Sequence, residues 1–178
     1  VGMAGILDSS RFIYFLSQEL NVSVKKIKSF VLGGHGDSMV AMLESTFVDG
    51  KKINDLVNNG ALKKEKLDQI IDRTKKGGAE IVKYLERGSA FYAPAASGVK
   101  MAESYLKNLK NQLPCACYLN GEYGFKNIYA GVPVIIGSNG VEKIIELNLS
   151  NLEKENFRKS VQSVKDLYNA AKKIDPSL

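Results

Sequence analysis

Cysteine and histidine, the residues that most often bind zinc, are scarce in this sequence: 178 residues include two cysteines and one histidine. Cys115 and Cys117 are two residues apart, a spacing poorly suited to a disulfide. One distant histidine supplies too few further ligands for a zinc site. We therefore predict no metal and two buried free thiols, as in a protein of a reducing compartment such as the cytoplasm.

Long apolar runs are also missing. No stretch approaches the roughly 18 residues of a membrane span, so we predict no membrane partner. The first ten residues, VGMAGILDSS, lack the basic start and the long apolar segment of a signal peptide. Because the first residue is a valine and not an initiator methionine, we expect the sequence to begin partway into a longer protein.

Charge of one sign is not concentrated anywhere, although 25 Lys and Arg residues outnumber 19 Asp and Glu residues. The lysines occur in pairs, and acidic residues are interleaved with most of them. No basic patch carries the interleaved aromatic residues typical of nucleic-acid binding. We interpret the lysines as solvated helix faces and predict no nucleic-acid partner.

A glycine-rich phosphate loop is absent as well. The nearest candidate, GHGDSM at residues 34–39, lacks the third glycine of G-x-G-x-x-G, and a predicted strand follows it instead of a helix. The sequence also lacks the P-loop, G-x-S-x-G and H-E-x-x-H motifs. These absences exclude a nucleotide-binding domain of recognisable type, a serine hydrolase elbow and a zinc protease site.

What the sequence does contain is a mixture of helical and strand periodicity, which predicts one α+β domain over residues 1–178, with a largely antiparallel sheet and packed helices. Ser138-Asn-Gly is a hairpin signal, and Ser150 with Glu153 forms a capping box. The predicted helices are 9–20, a short turn at 53–58, 63–87 with a kink at Gly77 and Gly78, a helix after Pro94, and the last helix after Ser150. The predicted strands are 27–34, 39–50, 113–119, 127–137 and 141–147.

The single histidine, His35, lies between glycines in VLGGHGDSM, residues 31–39. An ordinary pKa near 6.5 suits general acid–base catalysis, provided that an acceptor orients the ring. Asp37 is expected to point elsewhere, which leaves Asp8. Asp8 and Arg11 have the i, i+3 spacing of one helix face. Either these two residues pair with each other, or Asp8 holds the histidine while Arg11 binds a carboxylate ligand. The residues alone leave both alternatives open, as well as a histidine that is merely tolerated in its loop.

Several segments, taken in order, resemble a known family. They are GILDSSRF (5–12), GGHGDSMV (33–40), GSAFYAPAAS (88–97), the long β-rich segment at 113–147 and the final helix. Together they are similar to the catalytic half of the 2-hydroxy-acid dehydrogenases, the lactate and malate dehydrogenases. The form GGHGD, where GEHGD is common in lactate dehydrogenases, and GSAFYAP resemble bacterial malate dehydrogenases of the lactate-dehydrogenase-like type.

The resemblance implies roles for particular residues. His35 matches the histidine that exchanges a proton with the substrate, Asp8 matches its partner, and Arg11 matches the arginine that binds the substrate carboxylate. Ala90 matches a position on the substrate side of the pocket, and Pro94 one on the cofactor side. The implied fold is the C-terminal domain of the family, an unusual α/β roll.

The resemblance also implies NAD as cofactor, held mainly by an N-terminal Rossmann domain that is absent from this chain. It implies a cytoplasmic homodimer or homotetramer that acts on a small dicarboxylate or 2-hydroxy acid, in the tricarboxylic acid cycle if that acid is malate. The expected reaction is the interconversion of (S)-malate and oxaloacetate. The alternatives are an L-lactate dehydrogenase, or an isolated chain that serves only as an inactive oligomerisation or interaction module.

Overall fold

Two antiparallel sheets organise the computed structural model, which describes residues 1–177. The α-helices are α1 (Ala4–Leu20), α2 (Ile53–Asn58), α3 (Lys64–Leu85), α4 (Tyr92–Leu106) and α5 (Asn151–Ile174). The strands are β1 (Ile27–Lys28), β2 (Val31–Gly33), β3 (Met39–Ala41), β4 (Phe47–Val48), β5 (Lys51–Lys52), β6 (Asn111–Asn120), β7 (Lys126–Gly137) and β8 (Gly140–Ile144). In this part of the chain, no helix combines the length and the apolar character needed to cross a membrane.

The larger sheet has the strand order β3-β2-β7-β6, with β8 paired to β7, and the smaller sheet has the order β1-β4-β5. Every neighbouring pair is antiparallel. Ser138 and Asn139 form the tight turn between β7 and β8, as predicted. The structure therefore confirms the α+β class and the antiparallel sheet.

Two segments that were predicted as single strands each form two separate strands, so these predictions were wrong. The segment 27–34 divides into β1 and β2, and 39–50 divides into β3 and β4, so that each half joins a different sheet. Ser29 lies in the connection from β1 to β2, and Thr46 lies in the connection from β3 to β4. Their buried hydroxyl groups link these two connections, since Ser29 Oγ lies 2.7 Å from Thr46 Oγ1. The Thr46 hydroxyl donates to the Met42 carbonyl at 2.7 Å. Alternation of apolar residues cannot reveal such a change of sheet.

Helix boundaries also differ from the prediction at a position that matters for the site. Helix α1 begins at Ala4 instead of residue 9, so Asp8 lies inside the helix. Helix α3 continues unbroken through Gly77 and Gly78. Gly77 is buried, and a Cβ built on it would lie 3.0 Å from Arg11 Cδ. This glycine therefore serves the close packing of α3 on α1.

The core consists of two apolar clusters that share α1. One surrounds the larger sheet and includes Ile6 of α1 and Phe157 of α5. The other lies between α1, α2 and α3 and includes Phe12 and Leu16. Because α1 contributes to both clusters, it is packed on two sides, and the positions of the polar residues that it carries are fixed.

The predicted capping box of α5 is present, with Ser150 and Glu153 bonded to each other's backbone.

Both cysteines are free and buried on β6, as predicted. Burial raises the pKa of the Cys115 thiol to about 12, so this thiol stays protonated at neutral pH.

Candidate active site

Three of the predicted site residues, Asp8, Arg11 and His35, lie together where the start of α1 meets the loop after β2. Gly5 lets the start of α1 pack closely against β6, since a Cβ on it would lie 2.6 Å from the Pro114 carbonyl oxygen. Asp8 and Arg11 follow on α1, one turn apart. His35 comes two residues after the end of β2, with extended backbone, and a 3-10 turn follows at Gly36–Ser38. Secondary structure thus brings together residues that are 27 positions apart in the sequence.

The central contact of the site joins His35 to Asp8. His35 Nδ1 lies 2.8 Å from Asp8 Oδ2. Asp8 is 1% exposed, whereas the His35 side chain is 53% exposed and open to a ligand. The hydrogen bond to Asp8 raises the pKa of His35 above 6.5, against the opposing effects of partial burial and of the Arg11 charge. Asp8 therefore orients the ring and favours its protonated form.

Arg11 is close to Asp8 but does not hydrogen-bond it. Arg11 Nη1 lies 3.9 Å from Asp8 Oδ1, a distance beyond a hydrogen bond. Among the residues that the structure describes, Asp8 Oδ1 is a buried oxygen with no hydrogen-bond partner. Of the two alternatives, the geometry favours the division of labour: Asp8 hydrogen-bonds the histidine, while Arg11 lies within ion-pair distance of Asp8 without hydrogen-bonding it.

Two hollows adjoin these residues. A cavity of about 210 Å³ lies beside His35 and is lined by Asp8, Gly34, Tyr129 and Val164, among others. A second, of about 350 Å³, lies between α1 and α4 and is lined by Arg11, with Ala93, Ser97 and Lys100 of α4. The first is smaller than the about 300–1,000 Å³ of a pocket for a drug-sized molecule. It therefore suits a small acid or a single ring.

The site thus combines a histidine bonded to a buried aspartate with an arginine one helical turn away, and comparison with known proteins shows which family has this domain. The family model described as lactate/malate dehydrogenase, alpha/beta C-terminal domain, matches residues 6–174. The chain belongs to the lactate/malate dehydrogenase family. The observed fold is accordingly that of the family's C-terminal domain, as the sequence predicted.

Relatives within the family are similar over nearly the whole chain. A malate dehydrogenase of Pelagibacter ubique (strain HTCC1062) is 63% identical over 178 residues, which are 100% of this chain and 56% of that protein. The crystal structure of Cryptosporidium parvum malate dehydrogenase has a TM-score of 0.92 at 45% identity, over 97% of this chain and 55% of the other.

Lactate dehydrogenases of the family are similar as well. The Eimeria maxima lactate dehydrogenase, solved with NADH and oxamate, has a TM-score of 0.93 at 42% identity, over 98% of this chain and 55% of that one. The chain thus spans about half the length of the dehydrogenases that it matches.

Two of the predicted site residues lie apart from the His35 pair. Ala90 is in the connection between α3 and α4 and is partly buried, and Pro94 is in the first turn of α4. Neither is among the described residues that line the cavity beside His35 or the hollow beside Arg11. Their roles in this dehydrogenase domain stay predictions.

Sequence reasoning missed two neighbours of the site. Gly77 packs against the Arg11 side chain, where we had expected a kink. Ser160 of α5 accepts a hydrogen bond from the Gly34 amide at 2.8 Å, across 126 residues of sequence. One signal was available for Ser160: it is a serine in the apolar stripe of α5, beside Phe157 and Val161, and it is buried with them.

Proposed function

We propose that this chain is the catalytic half of an NAD-dependent malate dehydrogenase, which interconverts (S)-malate and oxaloacetate. The observation that carries the proposal is the bond between His35 and the buried Asp8, one helical turn from Arg11. It is supported by the 63% identity to the Pelagibacter ubique malate dehydrogenase over the entire chain.

His35 acts as general base when malate is oxidised. Its Nε2 takes the proton of the 2-hydroxyl group as the bond from carbon 2 to hydrogen breaks, and a carbonyl forms. The positive charge that develops on the ring is stabilised by Asp8 through Nδ1. In the reverse direction, protonated His35 donates to the ketone oxygen of oxaloacetate. When bound, NAD accepts or supplies the hydride.

Arg11 binds the carboxylate next to the reacting carbon. Its planar fork can donate two parallel hydrogen bonds to one carboxylate, which fixes the direction of the substrate as well as its charge. The Arg11 guanidinium lies 3.9 Å from Asp8 Oδ1, an oxygen without a hydrogen-bond partner among the described residues, and this geometry supports the role. We assign Ala90 to the substrate side of the pocket and Pro94 to the cofactor side, in line with the family resemblance.

The residues present would hold only part of the cofactor. The cavity of about 210 Å³ beside His35 can admit a small acid or the reacting ring, and the sequence carries no glycine-rich phosphate loop. The chain spans 56% of the Pelagibacter relative. We therefore propose that a Rossmann domain precedes residue 1 in the parent protein and holds most of NAD.

The proposed parent is a cytoplasmic homodimer or homotetramer of the tricarboxylic acid cycle, with α1 near a subunit contact. A second candidate is an L-lactate dehydrogenase, favoured by the TM-score of 0.93 to the Eimeria maxima enzyme. A third is that residues 1–178 alone form a module for assembly without turnover, because they lack an anchor for the hydride acceptor. For the isolated chain we favour this third proposal.

Steady-state kinetics of the full-length parent test the function. We expect NADH oxidation with oxaloacetate and much less with pyruvate; the reverse preference would establish the lactate alternative. His35→Asn should nearly abolish turnover while NADH still binds. Arg11→Lys should raise KM by about 10- to 100-fold, because a point charge cannot replace the fork.

The isolated chain provides the matching control for the third proposal. It should bind NADH too weakly to detect by fluorescence titration at micromolar protein. A micromolar dissociation constant for NADH would show that residues 1–178 hold the cofactor themselves, and the inactive-module proposal would then fail.

A further inference from the structure

The loop that carries His35 is fixed by more than its bond to Asp8. Gly34, the residue immediately before the histidine, donates its backbone N–H to Ser160 Oγ at 2.8 Å. Ser160 lies in the middle of α5 and is 3% exposed. The hydroxyl thus binds the chain one residue from the imidazole, from an element that carries none of the residues assigned to the reaction.

Close packing on both sides shows that this contact is built into the fold. Gly33 has a φ of +88°, and a Cβ on it would lie 2.2 Å from Ser160 Oγ. On the opposite side, a Cβ on Gly131 of β7 would lie 2.7 Å from the Gly33 carbonyl oxygen. Glycine at 33 and at 131 therefore lets β7 and α5 close on the end of β2, and Ser160 supplies the hydrogen bond in that gap.

We propose that Ser160 is a positioning residue for His35. It holds the Gly33–Gly34 backbone so that the imidazole keeps Nδ1 bonded to Asp8 and its other nitrogen, Nε2, directed at the substrate. The inference rests on the proposed function, since it presumes that His35 exchanges the proton. Two points then define the ring: Nδ1 through Asp8, and the backbone one residue upstream through Ser160. Gly33 is also paired with Met39 and Gly131 in the larger sheet, so Ser160 fixes the backbone between the end of β2 and the histidine.

The consequence for His35 has a definite sign. The charged groups that act on its ring are Asp8, which raises the pKa of His35, and Arg11, which lowers it, while burial also lowers it. If the loop loosens, the short bond to Asp8 is weakened and the two lowering effects remain. Loss of the Ser160 hydroxyl should therefore move the pKa of His35 down, toward its ordinary value.

The experiment compares three variants of the full-length parent. Ser160→Ala removes the acceptor, and Ser160→Cys keeps an unbranched side chain with a somewhat larger terminal atom that is a weaker acceptor. Ser163→Ala is the matched control, because Ser163 lies one turn further on the same helix, is exposed and donates its hydroxyl to the Lys159 carbonyl at 3.1 Å within its own helix. The readouts are kcat and KM for oxaloacetate, and an NMR titration of the His35 ring, assigned by its loss in His35→Asn.

We expect Ser160→Ala to lower kcat about tenfold with KM changed by less than about twofold, and to lower the pKa of His35. Ser160→Cys should also lower kcat and the pKa of His35, and Ser163→Ala should leave both quantities unchanged. Should Ser160→Ala fail to fold, Ser160→Cys decides. A Ser160 variant that melts at a lower temperature but keeps the wild-type kcat and His35 titration would overturn the proposal and leave a packing role.

The two proposals fail separately. A full-length protein that does not reduce oxaloacetate would refute the proposed function, yet the NMR titration would still show whether Ser160 controls the state of His35. Normal turnover with an unchanged titration in the Ser160 variants would refute only the positioning role.

Discussion

Replacing Asp8 with asparagine isolates the charge of the residue that orients His35. The amide has nearly the shape of the carboxylate and can still accept from His35 Nδ1, which lies 2.8 Å from Asp8 Oδ2. The negative charge, however, is lost from a residue that is 1% exposed. The substitution therefore removes stabilisation of the protonated ring with little change in packing.

The size of the effect follows from the contact. A hydrogen bond to a charged group contributes about 1.5–3 kcal/mol. Because the His35 side chain is 53% exposed, solvent screens the interaction and the lower end applies. About 1.5 kcal/mol corresponds to an about tenfold change in the protonation equilibrium. Burial and the Arg11 charge remain in the variant, and both lower the pKa of His35. We therefore expect the pKa of His35 in Asp8→Asn to fall below its ordinary value.

The assay is the pH dependence of kcat/KM for oxaloacetate reduction, which in the proposed mechanism requires protonated His35. The rate should fall as pH rises through the pKa of His35, and in Asp8→Asn this limb should move to lower pH. At a fixed pH above both values, the variant should be slower by about tenfold from protonation alone. A limb that stays at the wild-type pH would refute the assignment of Asp8 as the group that raises the pKa of His35.

The same substitution predicts a change in stability with pH. The folded pKa of His35 is raised above 6.5. The pair therefore stabilises the fold fully below about 6.5, and this stabilisation is lost as pH rises through the folded value. Denaturant unfolding across that window should show a decline in wild type that Asp8→Asn lacks. An equal decline in both proteins would contradict the linkage.

Two further predictions concern the supports of the site. Gly77→Ala should raise KM for oxaloacetate severalfold, because its methyl would lie 3.0 Å from Arg11 Cδ. Gly78→Ala is the control, since its methyl would come no closer than 3.9 Å to Arg11, and its KM should stay unchanged. Glu153→Ala removes the capping box and the bond from the Glu44 amide at 3.0 Å. It should lower the free energy of unfolding by about 1–2 kcal/mol, measured by urea denaturation.

Local patterns predicted those parts of the fold in which neighbouring residues decide the outcome. The α5 capping box and the two-residue turn between β7 and β8 are of this kind, and both were confirmed. The divided strands were not predictable, because the change of sheet depends on a buried contact between Ser29 and Thr46, 17 residues apart. Alternating hydrophobicity describes which face is buried, and it does not describe which sheet supplies the partner.

The candidate site was predictable to the same extent. The spacing of Asp8 and Arg11 predicted one helix face, and Asp8 was one of the candidates to hold His35; the structure brings Asp8 and His35 together. Whether Asp8 would bond the histidine or the arginine depended on how α1 lies against β2, which spacing does not contain. The only signal for Ser160 was a serine within the apolar stripe of α5, and its contact with Gly34, 126 positions away, was not predictable.

That last separation has a consequence for the order of folding. During synthesis the chain emerges from its N-terminal end, so Asp8 and His35 are available long before α5 exists. The backbone beside His35 lacks its hydrogen bond until α5 has docked, because Ser160 is the acceptor. Closure of this long loop is also the slow, non-local kind of contact. Truncation before residue 160 would therefore leave the Gly34 amide without this acceptor, although Asp8 and His35 would both be present.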